Sequence, residues 1–183
     1  NGTNTLNLIR LHEDGTRDTT FESTQNGPNG SIKSIYLLGN GQFFITGTFS
    51  MFNNYSSSGI AKLNSNGTKN VSFNYYNTNI VKDIVVQTDG KIVFTSSPIS
   101  TTIGNILFRL HSSGAIDTTF KTTSGWNSSG KCIALQSDSK ILLGGSFKFI
   151  TGLERKGFVR LTPEGGIDFS VNRVTGANNH IYA

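Results

Sequence analysis

The sequence predicts an all-β chain, a segment of a β-propeller made of four-stranded antiparallel blades of about 50 residues each. Three observations lead there: composition, the spacing of turn dipeptides, and the alternation of two hairpin types. Gly, Ser, Thr and Asn supply 82 of the 183 residues, only 15% of residues are charged and only 3 are Pro. Set among 13 Phe and many Ile, Leu and Val, these small polar residues act as turn-formers between short apolar runs. The same figures exclude a disordered tail, a coiled coil, a collagen and a helical bundle.

Turn signals flanked by apolar residues occur at Asp14-Gly15, Asn40-Gly41, Asn66-Gly67, Asp89-Gly90, Ser113-Gly114, Asp138-Ser139 and Glu164-Gly165, 23 to 26 residues apart. Asn-Gly and Asp-Gly tolerate positive φ at both central positions, so these sites predict two-residue type I′ hairpins.

Two kinds of hairpin alternate. The first reads Arg10-Leu11…Gly15…Asp18…Phe21 and recurs as Lys62-Leu63…Gly67…Asn70…Phe73, Arg109-Leu110…Gly114…Asp117…Phe120 and Arg160-Leu161…Gly165…Asp168…Val171. The second runs from Ile35 through Asn40-Gly41 to Phe49, and returns from Ile84 to Phe94 and from Ile133 to Phe147. One hairpin of each kind makes four antiparallel strands, the content of a propeller blade. The expected division is a half blade at 6–21, blades at 31–73, 80–120 and 130–171, and the start of another at 178–183. A β-solenoid is the runner-up, disfavoured because such turns make antiparallel hairpins rather than parallel coils.

Three and a half blades do not close a ring of the usual four to eight. The expectation is therefore a segment of a longer protein, or a chain that a second chain completes. No signal peptide is visible and the first residue is Asn rather than Met. The start of the gene product is thus expected upstream, and secretion stays open.

Ala134-x-Gln136-x-Asp138-x-Lys140-Ile141-Leu142-x-Gly144-Gly145-x-Phe147, followed by Arg160-Leu161-x-x-x-Gly165-x-x-Asp168, resembles the delta-60 repeat β-propeller family. The resemblance runs from about Leu8 to Val171. It implies a bladed propeller of the kind found in bacterial surface proteins and phage tails, hence an extracellular, cell-surface or virion location, with no family-wide catalytic residue. Ser139, Asn70 and Val171 depart from the pattern, and the stretch from Ser96 to Asn105 lacks the Gly-Gly-x-Phe ending.

Function is less legible. The net charge of +5 is spread over single basic residues, which predicts a mildly basic surface and no nucleic-acid partner. Nucleic-acid binding through that excess would weaken steeply with salt. The lone Cys132 forms no intrachain disulfide and lies in an apolar run, as an inert thiol does. No apolar stretch nears the roughly 18 residues that span a membrane. His12 and His111 share one repeat position, so a role in the repeat is expected of both. Asp18, Asp117 and Asp168 follow the hairpin glycine, where a carboxylate accepts backbone amides, and Asn70 does so without charge. No catalytic residue, metal site or cofactor is expected, although a carboxylate pair of the glycosidase kind stays open.

Variable loops between the second and third strands are the best binding candidates: Met51 to Ser56, Ser96 to Thr102, and Lys148 to Lys156. Phe52, Asn54 and Tyr55 could stack on a sugar, while Lys148, Arg155 and Lys156 could meet acidic groups. The competing reading is that Phe52 and Phe149 recur because they pack between blades. The expected function is a non-catalytic structural or binding module of a larger protein, touching a surface protein or a glycan. The alternative is a polysaccharide-acting enzyme with its site at the propeller mouth.

Overall fold

A computed structural model describes residues 8–21, 27–76, 80–97, 106–121, 125–171 and 181–182. The loop beyond Ser97, the outermost residues of the opening half blade and most of 178–183 lie outside that set. The chain forms two compact units, Asn1–Thr78 and Asn79–Ala183. Strands and turns make up the described residues, and no helix occurs among them, so none is long and apolar enough to cross a membrane.

In the first unit, strands β1 (Ile32–Leu37), β2 (Phe43–Gly47), β3 (Met51–Phe52), β4 (Tyr55–Ser56) and β5 (Ile60–Leu63) follow in order. An antiparallel sheet of order β1-β2-β5 results, with β3 and β4 paired as a separate small hairpin. The middle strand, β2, is buried along its whole length, whereas β1 alternates between half-buried and exposed residues. Phe21, Phe43, Ile45, Phe49, Phe52, Ala61 and Leu63 pack into one core. Phe21 arrives from the opening hairpin, so the half blade is fastened to the sheet through its last aromatic.

The second unit repeats the plan twice. Strands β6 (Ile80–Val86), β7 (Ile92–Ser97) and β8 (Leu107–Leu110) form one sheet in that order. Strands β9 (Gly130–Leu135), β10 (Ile141–Gly145), β11 (Phe149–Ile150), β12 (Leu153–Glu154) and β13 (Phe158–Leu161) follow, with sheet order β13-β10-β9 and β11 paired to β12. The edges β6 and β9 adjoin, and the Ile133 amide donates to Asp83 Oδ2 at 2.9 Å.

All-β architecture is as expected, but two details differ. Each continuous sheet has three strands. The segment expected as a fourth strand contributes one antiparallel bridge per repeat: Leu11 with Arg17, Leu63 with Lys69, Leu110 with Ile116, and Leu161 with Ile167. Pairing stops because the Asp or Asn that follows takes the amide two residues on, as Asp18 takes Thr20 at 2.8 Å, and turns the chain away.

The seven spaced turns are also not type I′. At each one the residue in the glycine position donates its amide to the carbonyl three residues back, at 2.9 to 3.1 Å. That residue alone has positive φ, including Ser139 at 63°. These are three-residue loops closed by a left-handed residue. The preceding Asn or Asp is held right-handed because its side chain caps an amide two residues later, as Asp14 caps Thr16 at 2.9 Å and Asn40 caps Gln42 at 3.1 Å. Glycines at the ends of β2 and β10 serve close approach. A Cβ at Gly145 would lie 2.5 Å from the Ser129 carbonyl oxygen, and one at Gly47 would overlap that of Ser31.

Candidate binding loops

The true type I′ hairpins sit in the variable loops. β3 and β4 are joined by Asn53 and Asn54, with φ of 46° and 66°, and β11 and β12 by Thr151 and Gly152, with φ of 50° and 78°. Each loop hangs from an asparagine about twenty residues upstream. Asn29 Oδ1 accepts the amides of Ser50 and Met51, both at 2.9 Å. Asn127 Oδ1 accepts those of Lys148 at 2.8 Å and Phe149 at 3.0 Å.

These hairpins fix where each candidate residue points. Strand alternation buries Phe52 and Ile150 and turns Met51 and Phe149 outward, the latter two 41% and 42% exposed. Phe52 and Phe149 are therefore not matched positions: Phe52 belongs to the core and is withdrawn from any ligand. Asn54 stands at a turn tip, and Tyr55 is half exposed with Lys69 Nζ 5.4 Å from its ring centroid. In the other loop Lys148 is exposed, the Arg155 guanidinium donates to the Glu154 carbonyl at 2.8 Å, and Lys156 Nζ lies 3.5 Å from Glu154 Oε1. The structure gathers Asn54 with Tyr55, and Lys148 with Arg155 and Lys156, each set on its own hairpin.

The recurring Arg and Asp are absorbed by the scaffold. Arg10, Arg109 and Arg160 donate from Nε to Oδ2 of Asp18, Asp117 and Asp168 at 2.7, 2.8 and 2.9 Å. The other oxygen takes the amide and hydroxyl of Thr20, Thr119 or Ser170. Those hydroxyl and amide bonds, with the guanidinium beside them, hold Asp117 and Asp168 down to about 2 and Asp18 far below the usual carboxylate range. Such groups are permanent acceptors rather than acids. His12 and His111 each place Nε2 near the same aspartate, at 4.0 and 3.9 Å. Where Lys62 and Asn70 replace the pair, Asn70 Oδ1 still takes the Ser72 amide at 3.0 Å.

The clamp also joins successive repeats. Arg10 Nη1 donates to the Ser65 carbonyl, and Arg109 Nη1 to the Pro163 carbonyl at 2.9 Å, the same position of the next hairpin of this kind. Each guanidinium stacks on its own repeat's phenylalanine, Phe21 at 4.9 Å and Phe120 at 4.6 Å. That ring in turn meets the next hairpin's glycine, Gly67 or Gly165. A family model described as a domain of unknown function (DUF5122) beta-propeller matches residues 1–21, 38–73, 87–120 and 136–170. The chain belongs to this β-propeller family. None of the curated proteins matches it.

The three complete family segments begin in the second-kind turn and end with the Asp-x-Thr clamp or its variant. They therefore leave out the first strand of each sheet, where the residues missed by sequence reasoning lie. β1, β6 and β9 each carry a bulge, and the extra residue is Lys33, Lys82 and Lys131 in turn. The signal was present, since the three lysines are spaced by 49 and 49 residues. Read singly, they passed for scattered charge. Asp83, next to Lys82, is the one described carboxylate outside the turns, the clamps and the loop hairpins. Cys132 is half-buried, and desolvation together with the Asp83 charge pushes its thiol up, away from thiolate chemistry. No group of three His, Cys, Asp or Glu that could hold a metal ion occurs among the described residues.

Proposed function

We propose that this β-propeller chain is a non-catalytic structural and binding module of the delta-60 repeat kind. It would form part of a larger extracellular, cell-surface or phage-tail protein and use its loop hairpins for protein or glycan contact. One observation carries the reading: two hairpins, each hung from an upstream asparagine by paired amide bonds, turn apolar side chains to solvent at the same repeat position, Met51 and Phe149. A rigid support with outward aromatic groups is how scaffolds present binding loops. Dispersal of the acidic residues into turns and clamps favours binding over hydrolysis.

The test is retention of the purified chain on an array of neutral and acidic glycans, repeated with Tyr55→Ala and with Phe149→Ala. Retention that either variant loses supports the loops as the contact. Equal retention by both variants sinks that assignment, and release of new reducing ends would instead favour the polysaccharide-acting enzyme.

A further inference from the structure

The β11–β12 hairpin carries a pair of charges that the β3–β4 hairpin does without. The Arg155 amide donates to the Lys148 carbonyl at 2.7 Å, one register step below the paired Phe149 and Glu154. Lys148 and Arg155 therefore stand opposite each other across the base of the hairpin, where β-carbons lie about 5 Å apart. In the first unit the same bond runs from the Ser57 amide to the Ser50 carbonyl at 2.9 Å. The hairpin itself thus needs no charge at either position. Like charges placed opposite weaken a strand pair, and such breaches of local preference gather at functional sites.

Neither cation is neutralised. Among the described residues no carboxylate forms an ion pair with Lys148 or Arg155. The Arg155 guanidinium spends Nη1 on the Glu154 carbonyl at 2.8 Å. That bond orients the group and leaves Nε and Nη2, the edge that grips two oxygens of one oxyanion by parallel bonds. Glu154 stands opposite Phe149 and has Lys156 Nζ at 3.5 Å from its Oε1. From Lys148 to Lys156 three basic residues are set against that one acidic residue. Phe149, next to Lys148, is 42% exposed. Asn127 Oδ1 holds the backbone amides of both, so the charge and the ring are anchored together.

We propose that this hairpin binds an acidic sugar residue, with Lys148 and Arg155 on its carboxylate or sulfate group and Phe149 against its ring. The proposal rests on the reading of the loops as contact sites and names the ligand class for one of them. An anion between the two cations relieves their repulsion, and an aromatic face accepts the apolar side of a sugar ring. Size points the same way. Strands of two residues each offer one ring and one charge pair, the scale of one or two sugar units. A standard protein interface needs about 800 Å² from each partner.

The experiment is calorimetric titration of the native chain with polygalacturonate, dextran sulfate and uncharged dextran at about 0.15 M salt. Saturable binding of at least one acidic polymer, with none of dextran, is expected, and the two acidic arms separate carboxylate from sulfate. K148S/R155S installs the residues of the β3–β4 hairpin and should weaken binding by about tenfold or more. K33Q/K121Q removes two exposed charges elsewhere and should leave affinity near native. Absence of binding to both acidic polymers overturns the proposal. So does unchanged affinity in K148S/R155S, or an equal loss in K33Q/K121Q, which would mean attraction by net charge alone. Binding of dextran that Phe149→Ala abolishes and K148S/R155S spares overturns the acidic ligand while the loop remains a contact site. If K148S/R155S does not fold by circular dichroism, Lys148→Ser alone decides by the same criterion.

Discussion

Arg109 and Asp117 form a buried ion pair, Nε to Oδ2 at 2.8 Å, with only 7% and 1% of their side chains exposed. The same guanidinium reaches Gln87 Oε1 at 3.2 Å and the Pro163 carbonyl at 2.9 Å. One arginine therefore closes its own hairpin and holds the next.

This arrangement predicts the effect of Asp117→Asn. The amide can still cap Thr119, as Asn70 caps Ser72, but the guanidinium keeps its burial and loses its counter-charge. Removing one partner of a buried pair costs about 3 kcal/mol. Asp18→Asn should cost measurably less, because 42% of the Arg10 side chain meets water. R109K/D117N copies the natural Lys62 and Asn70 combination and should recover part of the loss. Urea midpoints for the three variants check the ranking, and equal losses for D18N and D117N would count against it.

Acid stability follows from the same aspartates. Asp117 and Asp168 are held to about 2, and Asp14, Asp18, Asp89 and Asp138 are also lowered. An unfolded aspartate titrates near about 3.9. A depressed folded value means that the unfolded chain binds protons first as pH falls, so this contribution is whole above about pH 4 and lost on going down towards pH 2. The melting temperature should hold between about pH 7 and 5 and then drop, and D168N should flatten the drop. A melting temperature independent of pH down to 2 would contradict the clamps.

The fold was legible because the repeat multiplies weak signals. One Asn-Gly says little, whereas seven turns at near-equal spacing specify alternating hairpins. The turn type was not legible, because Asn40 or Asp14 can sit left-handed or cap an amide two residues on, and only tertiary register selects the cap. The loops show the opposite failure. Asn53-Asn54 and Thr151-Gly152 are the type I′ turns, yet the strands flanking them are two residues long and leave no period to read. That also misaligned Phe52 with Phe149. The lysines escaped because a bulge is defined by the partner strand, and no single strand's sequence declares it.

Glycine positions separate conformational strain from packing. Gly15 and Gly165 have φ of 83° and 89°, so Ala at either is strained by about 1–2 kcal/mol. A Cβ at Gly15 meets nothing within 4 Å, while one at Gly165 would lie 2.7 Å from the Phe120 ring. Gly165→Ala should therefore cost about 2 kcal/mol more than Gly15→Ala, by overpacking the contact between repeats. Denaturant unfolding of both variants tests this, and indistinguishable midpoints would mean that the ring gives way freely.

Asn127 offers a way to loosen one binding loop without opening the sheets. Its Oδ1 accepts the Lys148 and Phe149 amides at 2.8 and 3.0 Å, and each such bond contributes about 1 kcal/mol. Asn127→Ala should speed hydrogen exchange at those two amides by about tenfold or more, since 1.4 kcal/mol is a factor of ten. Amides within β10, such as Leu143, should keep their protection because the β9-β10-β13 ladder is untouched. Asn127→Asp retains the acceptor and should leave exchange near native. If the alanine variant instead accelerates β10 to the same degree, the loop and the sheet unfold as one unit, and Asn127 supports the whole blade rather than the hairpin alone.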